Sequence, residues 1–331
     1  MRKTKKFLIT ISIIAAIIAV LNIIPPKQVE NNPFIVEKGS LPMLVAHRGG
    51  KFNNPENTLK AYKYALSDNV KADVLETDLW LTKDKELILN HDSSINRTSD
   101  AELVLNSKEK HYVSNFTLNE LENFNFGAKF EALDGTKPYE NLVSVNQVDR
   151  KEVIKANDVG VTTFDNFLNT FYTSHPNLLF IVEIKNSGQE GFDACDKLVE
   201  TLNKYPNYKD QIVVGTFNSE IEEYLKTTYP FIMRGASVNV VIGFVVTQLL
   251  GVNLFDNSGI TCLQLPTNQY GIDLTWNTYI NRAHRRNIAV QYWTINDEEE
   301  MRFLVNKGCD AIMTDDVDLL RKVLDSSKKA R

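Results

Sequence analysis

Cysteine is scarce in this chain of 331 residues, with three at positions 195, 262 and 309. They are too few and too scattered for a disulfide framework, and none has metal-ligand spacing. A surplus of positive charge is also lacking. The 37 basic residues meet 42 acidic ones for a net −5, which argues against a nucleic-acid-binding surface. No repeat of 20–50 residues recurs. The chain has neither the Gly-rich lysine loop of nucleotide hydrolases nor the G-x-S-x-G of serine esterases. What remains is ordinary globular composition, 43% hydrophobic and 24% charged, which excludes wholesale disorder and low-complexity architectures. The length fits one large domain or two average ones.

Charge is unevenly placed. Arg2, Lys3, Lys5 and Lys6 lie in the first six residues, and the remainder carries 33 basic and 42 acidic residues, a net −9. An apolar, uncharged run of 18 residues, 7–24, follows, near the minimum for a helix that spans a bilayer core. The preceding charges favour a cytoplasmic N-terminus. No A-x-A site and no lipidation cysteine follow the run. Residues 1–24 are therefore expected to be an uncleaved signal-anchor in the cell membrane, single-pass, with the bulk of the chain extracytoplasmic. Cleavage, which would secrete the protein, is the competing reading. Residues 25–41, polar and Pro-containing, read as a linker.

Residues 42–331 read as one domain. Short apolar runs at 44–46, 74–79, 179–184, 212–215, 231–233, 261–265, 289–293 and 311–313 are mostly separated by segments of helix length. Eight such strands suggest a closed parallel barrel. A further run, 86–90, follows the second strand closely, across the turn Thr82–Lys85. That is too short for a parallel crossover, so it must return as a hairpin. With the turn near Asp84, His91 falls opposite Thr77, between Glu76 and Asp78. Asn54-Pro55-Glu56 resembles a helix N-cap with Pro at the first position, and Asn296-Asp297 another, with Gly308 closing that helix. Residues 93–160 are expected to be an insertion after the hairpin.

The chemistry-bearing residues fall at strand ends. His47-Arg48-Gly49-Gly50 ends the first strand: a proton-transfer group, a charged fork matched to phosphate, and glycines that allow close backbone approach. Glu76 and Asp78 share one face of the second strand. Buried together, they are costly unless they bind a cation, and oxygen-only ligation suggests Mg²⁺ or Ca²⁺. A barrel-core salt bridge or a solvated edge is the alternative. His91, beside that pair, is a candidate second acid/base. Glu183 and Lys185 repeat the spacing on the fourth strand, as a third ligand and a phosphate-neutralising cation, or as an internal ion pair. Trp293 is either a pocket wall or core. His111, His175 and His284 lack such context and read as surface residues. Together the set describes a site for a phosphate ester with one divalent cation. The apolar stretch 238–255 follows the sixth strand and reads either as a bilayer-docking element or as a barrel-covering helix and loop.

VAHRGG, NPENT, ETDLWLTKDKELILNHD, RTS, FIVEIK, WTIND and GCDAIMTDD, in this order, resemble the glycerophosphodiester phosphodiesterases over about residues 43–320. The resemblance implies an irregular TIM (β/α)8 barrel of the phospholipase C-like phosphodiesterase type. It implies that His47 and His91 act as general base and acid, and that Glu76, Asp78 and Glu183 bind one divalent cation, Ca²⁺ or Mg²⁺. Arg48 and Lys185 would contact phosphate, with Glu56 in support. The implied reaction is hydrolysis of a glycerophosphodiester to an alcohol and sn-glycerol 3-phosphate. Lysophospholipase D-like or phospholipase C-like action on membrane lipids is the alternative, and a non-catalytic phosphodiester-binding protein is a further one. The expected partners are a small glycerophosphodiester or lysophospholipid and the membrane. Two departures from the family pattern are Thr216, where Ser is common, and Asn287, where a helix-ending glycine is usual.

Overall fold

The computed structural model describes residues 2–250 and 258–330. Eleven strands are present among them: β1 (Met43–Ala46), β2 (Val74–Leu81), β3 (Leu87–Leu89), β4 (Leu179–Ile184), β5 (Ile212–Gly215), β6 (Met233–Arg234), β7 (Cys262–Leu265), β8 (Asn268–Gln269), β9 (Ile272–Asp273), β10 (Ala289–Tyr292) and β11 (Ala311–Thr314). Eight pair in parallel in the order β6-β5-β4-β2-β1-β11-β10-β7. A parallel bridge between Gly235 and Cys262 joins the two ends, so the sheet closes into a barrel. Helices between the strands cover the outside. The helix Glu298–Lys307 shows the expected signals: Asp297 accepts from the Glu300 N–H, and Gly308 ends it in the left-handed region at φ 76°. β8 and β9 form a small hairpin beyond β7, which the alternation of apolar runs did not announce.

β3 is the irregularity. It runs antiparallel to β2, with Leu79 opposite Leu89 and Leu81 opposite Leu87. Continuing that register puts His91 opposite Thr77, as the turn position implies. β1 pairs with β2 only at Val74 and Leu75, and β3 takes the same edge of β2 from Leu79 onward. Residues 93–160 then form short helices (Ala101–Val104, Leu118–Leu121, Arg150–Ala156) around their own apolar cluster of Ile95, Val113, Leu121, Phe124 and Phe126. The chain returns to β3, where the Leu89 N–H donates to the Thr162 carbonyl, and enters helix Phe164–Tyr172 and β4. His111 lies here and is buried rather than on the surface, because its Nε2 reaches the Ser107 carbonyl at 3.2 Å and Phe116 packs against it.

One helix, Arg2–Ile23, precedes the barrel. Its stretch Thr4–Ile23 has a mean hydropathy of 2.4 and none of it is buried. Its 20 residues make about 30 Å of helix, the thickness of a bilayer core. Residues 25–41, expected to be a linker, do not run free. Phe34 is fully buried against Val45, Val74, Ile181, Val213, Cys262, Ala289 and Ala311. These are the inward-pointing residues near the N-terminal ends of the strands, so Phe34 plugs the barrel floor. Asn32 fastens the plug by donating to the Thr261 and Asn287 carbonyls, each at 2.8 Å. Asn287 adopts φ 58°, which explains a position where glycine is usual; asparagine tolerates that region better than most residues.

Two changes test this floor in the chain lacking residues 1–24. Phe34→Ala should destabilise the barrel by about 3–5 kcal/mol in urea unfolding, the range for a buried phenylalanine that leaves a cavity. Removal of residues 1–24 alone should change the stability of the full chain by less than about 1 kcal/mol, since among the described residues the apolar helix meets the fold only near Asn22, through Arg282 and Arg285.

Candidate active site

Strand alternation builds the site. On β2, Val74, Glu76 and Asp78 point inward while Leu75 and Leu79 join the outer core. β4 repeats the climb from apolar to charged with Ile181, Glu183 and Lys185. β1 runs from Val45 to His47, β10 from Ala289 to Trp293, and β11 from Met313 to Asp315. The barrel interior is thus apolar at its floor and ionisable at the C-terminal ends of the strands, the end at which barrel enzymes work.

Glu76, Asp78 and Glu183 each present an oxygen within 4.8 Å of the other two. Lys185 Nζ lies 2.7 Å from Glu183 and 3.0 Å from Asp78. The Arg48 guanidinium lies 3.2 Å from Asp78 and 3.2 Å from Glu56. Arg48 and Lys185, expected to contact phosphate, therefore rest on carboxylates in this structure. Three ionised carboxylates would exceed these two cations by one charge. Burial, then the Asp78 charge, push the Glu76 carboxyl well above the carboxylate range against the pull of Arg48. Burial also raises Glu183, partly countered by Lys185. At Asp78, burial is outweighed by Lys185 and then Arg48, so its carboxyl stays below the usual range. A buried all-oxygen set with unmatched negative charge fits a hard divalent cation.

The backbone is bent to reach these carboxylates. Arg48, Gly49 and Gly50 take φ of 53°, 84° and 89°, which turns the Arg48 N–H onto Glu76 Oε2 at 2.7 Å. A Cβ at Gly49 would meet Ala61 Cβ at 2.7 Å, so the turn needs glycine there. Asn57, at φ 56°, donates to Asp78 Oδ2 at 3.1 Å and accepts from the Tyr62 hydroxyl at 2.8 Å. This corrects the reading of Asn54-Pro55-Glu56 as a helix cap. The helix Leu59–Ala65 is capped by Thr58, and the preceding turn serves the site.

Both histidines are held alike. His47 Nδ1 lies 2.5 Å from Asp315 Oδ1, and His91 Nδ1 lies 2.7 Å from Asp92 Oδ1. A proton on each Nδ1 leaves Nε2 for chemistry. Asp315 is also held by Asn296, at 2.9 Å, and Lys51, at 3.2 Å. Burial lowers the His91 pKa below the ordinary range, although Asp78 and Asp92 oppose it. Glu56 is not one of the three clustered carboxylates. It bridges Arg48 to Arg97, whose guanidinium also binds Asp92 at 2.6 Å. Trp293 packs on Phe217 with ring centroids 6.0 Å apart, and Lys185 Nζ lies 6.0 Å from the same Phe217 ring, so the aromatic pair walls one side. His284 stays outside the site, on Asp310 at 2.8 Å.

Sequence reasoning missed Asp315, Asp92 as a partner, Asn57 and Arg97. Asp315 was accessible through parity, two residues beyond inward-facing Met313. Asn57 and Arg97 sit in loops, where no periodicity points at a site.

The chain was compared with known proteins. The model of the glycerophosphoryl diester phosphodiesterase family matches residues 47–319. A glycerophosphodiester phosphodiesterase of Caldanaerobacter subterraneus is 24% identical over 85% of this chain and 98% of its own. One of Bacillus altitudinis is 23% identical over 86% and 99%. Among solved structures, the glycerophosphoryl diester phosphodiesterase domain of a Mycobacterium tuberculosis protein superposes with a TM-score of 0.66 at 14% identity, over 86% of this chain and 99% of that domain. An Oleispira antarctica phosphodiesterase in complex with the product sn-glycerol-3-phosphate gives 0.62 at 19%, over 86% and 97%. At these identities the structures speak to the fold.

The cluster makes a prediction of its own. Burial raises the Glu76 and Glu183 carboxyls above their ordinary range, so cation binding competes with their protonation, and affinity should weaken as pH falls. Calorimetry with Ca²⁺ or Mg²⁺ in buffers of different ionisation heat should record proton release. Glu76→Gln and Asp78→Asn should abolish the binding.

Proposed function

The chain belongs to the glycerophosphoryl diester phosphodiesterase family, and from that premise we propose that it hydrolyses glycerophosphodiesters to an alcohol and sn-glycerol 3-phosphate. The observation that carries this reading is the pair of His–Asp couples beside three buried carboxylates. The similarly folded Oleispira antarctica enzyme, with its bound sn-glycerol-3-phosphate, supports the product assignment.

In this reading His47 and His91 are the acid–base pair. One accepts the proton of the glycerol 2-hydroxyl as that oxygen attacks phosphorus, and the other protonates the departing alcohol. Water then opens the cyclic phosphate with the roles reversed. An internal nucleophile avoids much of the entropy cost of a bimolecular step. Asp315 and Asp92 hold each imidazole in one tautomer and stabilise it when protonated. A divalent cation, Ca²⁺ or Mg²⁺, held by Glu76, Asp78 and Glu183 would acidify a bound hydroxyl and neutralise phosphate charge. Arg48 and Lys185 lie close enough to exchange carboxylate contacts for phosphate ones. Trp293 and Phe217 confine the alcohol side.

We assign Thr4–Ile23 as a membrane anchor, with the basic N-terminus cytoplasmic and the barrel extracytoplasmic. Its length and the four positive charges in the first six residues, all ahead of the apolar run 7–24, support this.

Turnover of glycerophosphoethanolamine, followed by phosphorus NMR, tests the reaction. His47→Ala and His91→Ala should each lose about 10²–10⁴-fold with unchanged thermal unfolding, and EDTA should abolish turnover. Near-normal rates in either variant would sink the assignment. Cyclic phosphate as the final product would make the enzyme phospholipase C-like, and binding without turnover would make it a receptor. Asp92→Asn should move the His91 limb of the kcat/KM profile to lower pH, because it removes a charge that favours the protonated ring.

A further inference from the structure

Helix Val238–Leu250 carries no charged residue, and the uncharged stretch runs from residue 235 to 255 in the sequence, of which 251–255 lie outside the described residues. Its inner face is seated: Phe244 is buried, and Val240, Val241 and Val245 pack on the barrel's outer core. Its outer face carries Val238, Ile242 and Val246 at successive four-residue steps, 50%, 55% and 46% exposed. A helix on a water-facing barrel surface normally turns polar residues outward. This one turns out a straight apolar ridge.

The far end of the ridge is tied to the N-terminal helix. The Arg282 guanidinium donates to the Gln248 carbonyl and, at 3.1 Å, to Asn22 Oδ1. Arg285 donates to the Asn22 carbonyl at 2.9 Å. One arginine thus joins the last turns of the apolar helix and of the ridge helix. From Gln248 this 13-residue helix runs back about 15 Å to Val238, just past the C-terminal end of β6 and therefore at the mouth of the site. The neighbouring helix Asn277–His284 also leads away from that mouth. It begins beside Trp276, which is 51% exposed, and the β8–β9 hairpin there adds Tyr270, at 94%. Tryptophan and tyrosine are the side chains of lipid–water interfaces, and Arg282 and Arg285 suit anionic headgroups.

We propose that this face rests on the bilayer that holds the N-terminal helix, with the barrel on its side and the β6–β7 rim of the mouth at the lipid surface. The site then receives diesters whose alcohol is still acylated, lysophospholipids, from the membrane plane. This rests on the anchor and diesterase readings above. Continuity with the anchor favours lipid over a second copy of the chain, and the ridge offers no charge to specify a protein partner.

The test uses the full chain in phosphatidylethanolamine–phosphatidylglycerol vesicles. An environment-sensitive NBD label is attached at Ile242→Cys; the native cysteines are all buried. Lipids brominated on the acyl chain should quench it. Unquenched emission, including blue-shifted emission from a protein contact, would overturn the proposal. In parallel, Ile242→Glu with Val246→Glu should lower turnover of vesicle-embedded lysophosphatidylethanolamine about tenfold and leave soluble glycerophosphoethanolamine within about twofold. Equal effects on the two substrates would also overturn it. If the unaltered chain turns over neither substrate, the diesterase reading fails, and the quenching still decides the docking.

Discussion

Three carboxylates inside a barrel can remain there only if positive charge surrounds them. The upper half of this molecule is arranged around that requirement. Arg48 must give both its backbone N–H and its guanidinium to the cluster, and a left-handed turn lets one residue do both. Gly49 brings that turn flush against Ala61, and Gly50 brings it against Val317. Asn57 takes a second left-handed turn to reach Asp78. Non-glycine residues in that region are uncommon and concentrate where function over-determines the backbone. Here two of them converge on neighbouring carboxylates.

The lower half answers a different need. A barrel floor that faces water would expose Val45, Val74, Ile181 and Val213, so the chain folds Phe34 back under them before the first strand begins. The same two-residue alternation serves both ends. On β1, β2, β4, β10 and β11 the inward row starts with an aliphatic residue and finishes with a charged or aromatic one. The floor supplies packing that holds the strands, and the strands hold the ionisable groups at fixed spacing above it.

Much of this was legible in the sequence because strand period and turn length are local rules. The strands, the hairpin return, the register that brings His91 opposite Thr77, and the inward pairing of Glu76 with Asp78 follow from counting. The misreadings share one cause, which is that contacts distant in sequence override local signals. Asn54-Pro55-Glu56 has the chemistry of a cap, but Glu56 is taken by Arg48 and Arg97, and Thr58 caps the helix instead. Residues 25–41 have the composition of a linker, and only the shape of the floor shows that Phe34 belongs inside. His111 became buried through a carbonyl and a ring supplied by its own insertion.

The two histidine couples also explain why the insertion departs from β3. Asp315 of the His47 couple is fixed by Lys51 and Asn296, groups in the short segments that follow β1 and β10, and His47 is buried. His91 is about one-third exposed, and its partner Asp92 is fixed by Arg97, five residues into the insertion. Arg97 in turn grips Glu56, which grips Arg48 over the carboxylates. The insertion therefore closes an ionic chain, His91–Asp92–Arg97–Glu56–Arg48–Asp78, that runs from the outer histidine to the centre of the cluster. A direct crossover from β2 to β4 would leave that chain without its middle link, and the more exposed histidine without a fixed orientation. In this fold the hairpin and its insertion are part of the site's architecture, because they give a partly exposed histidine the fixed partners that His47 finds within the barrel.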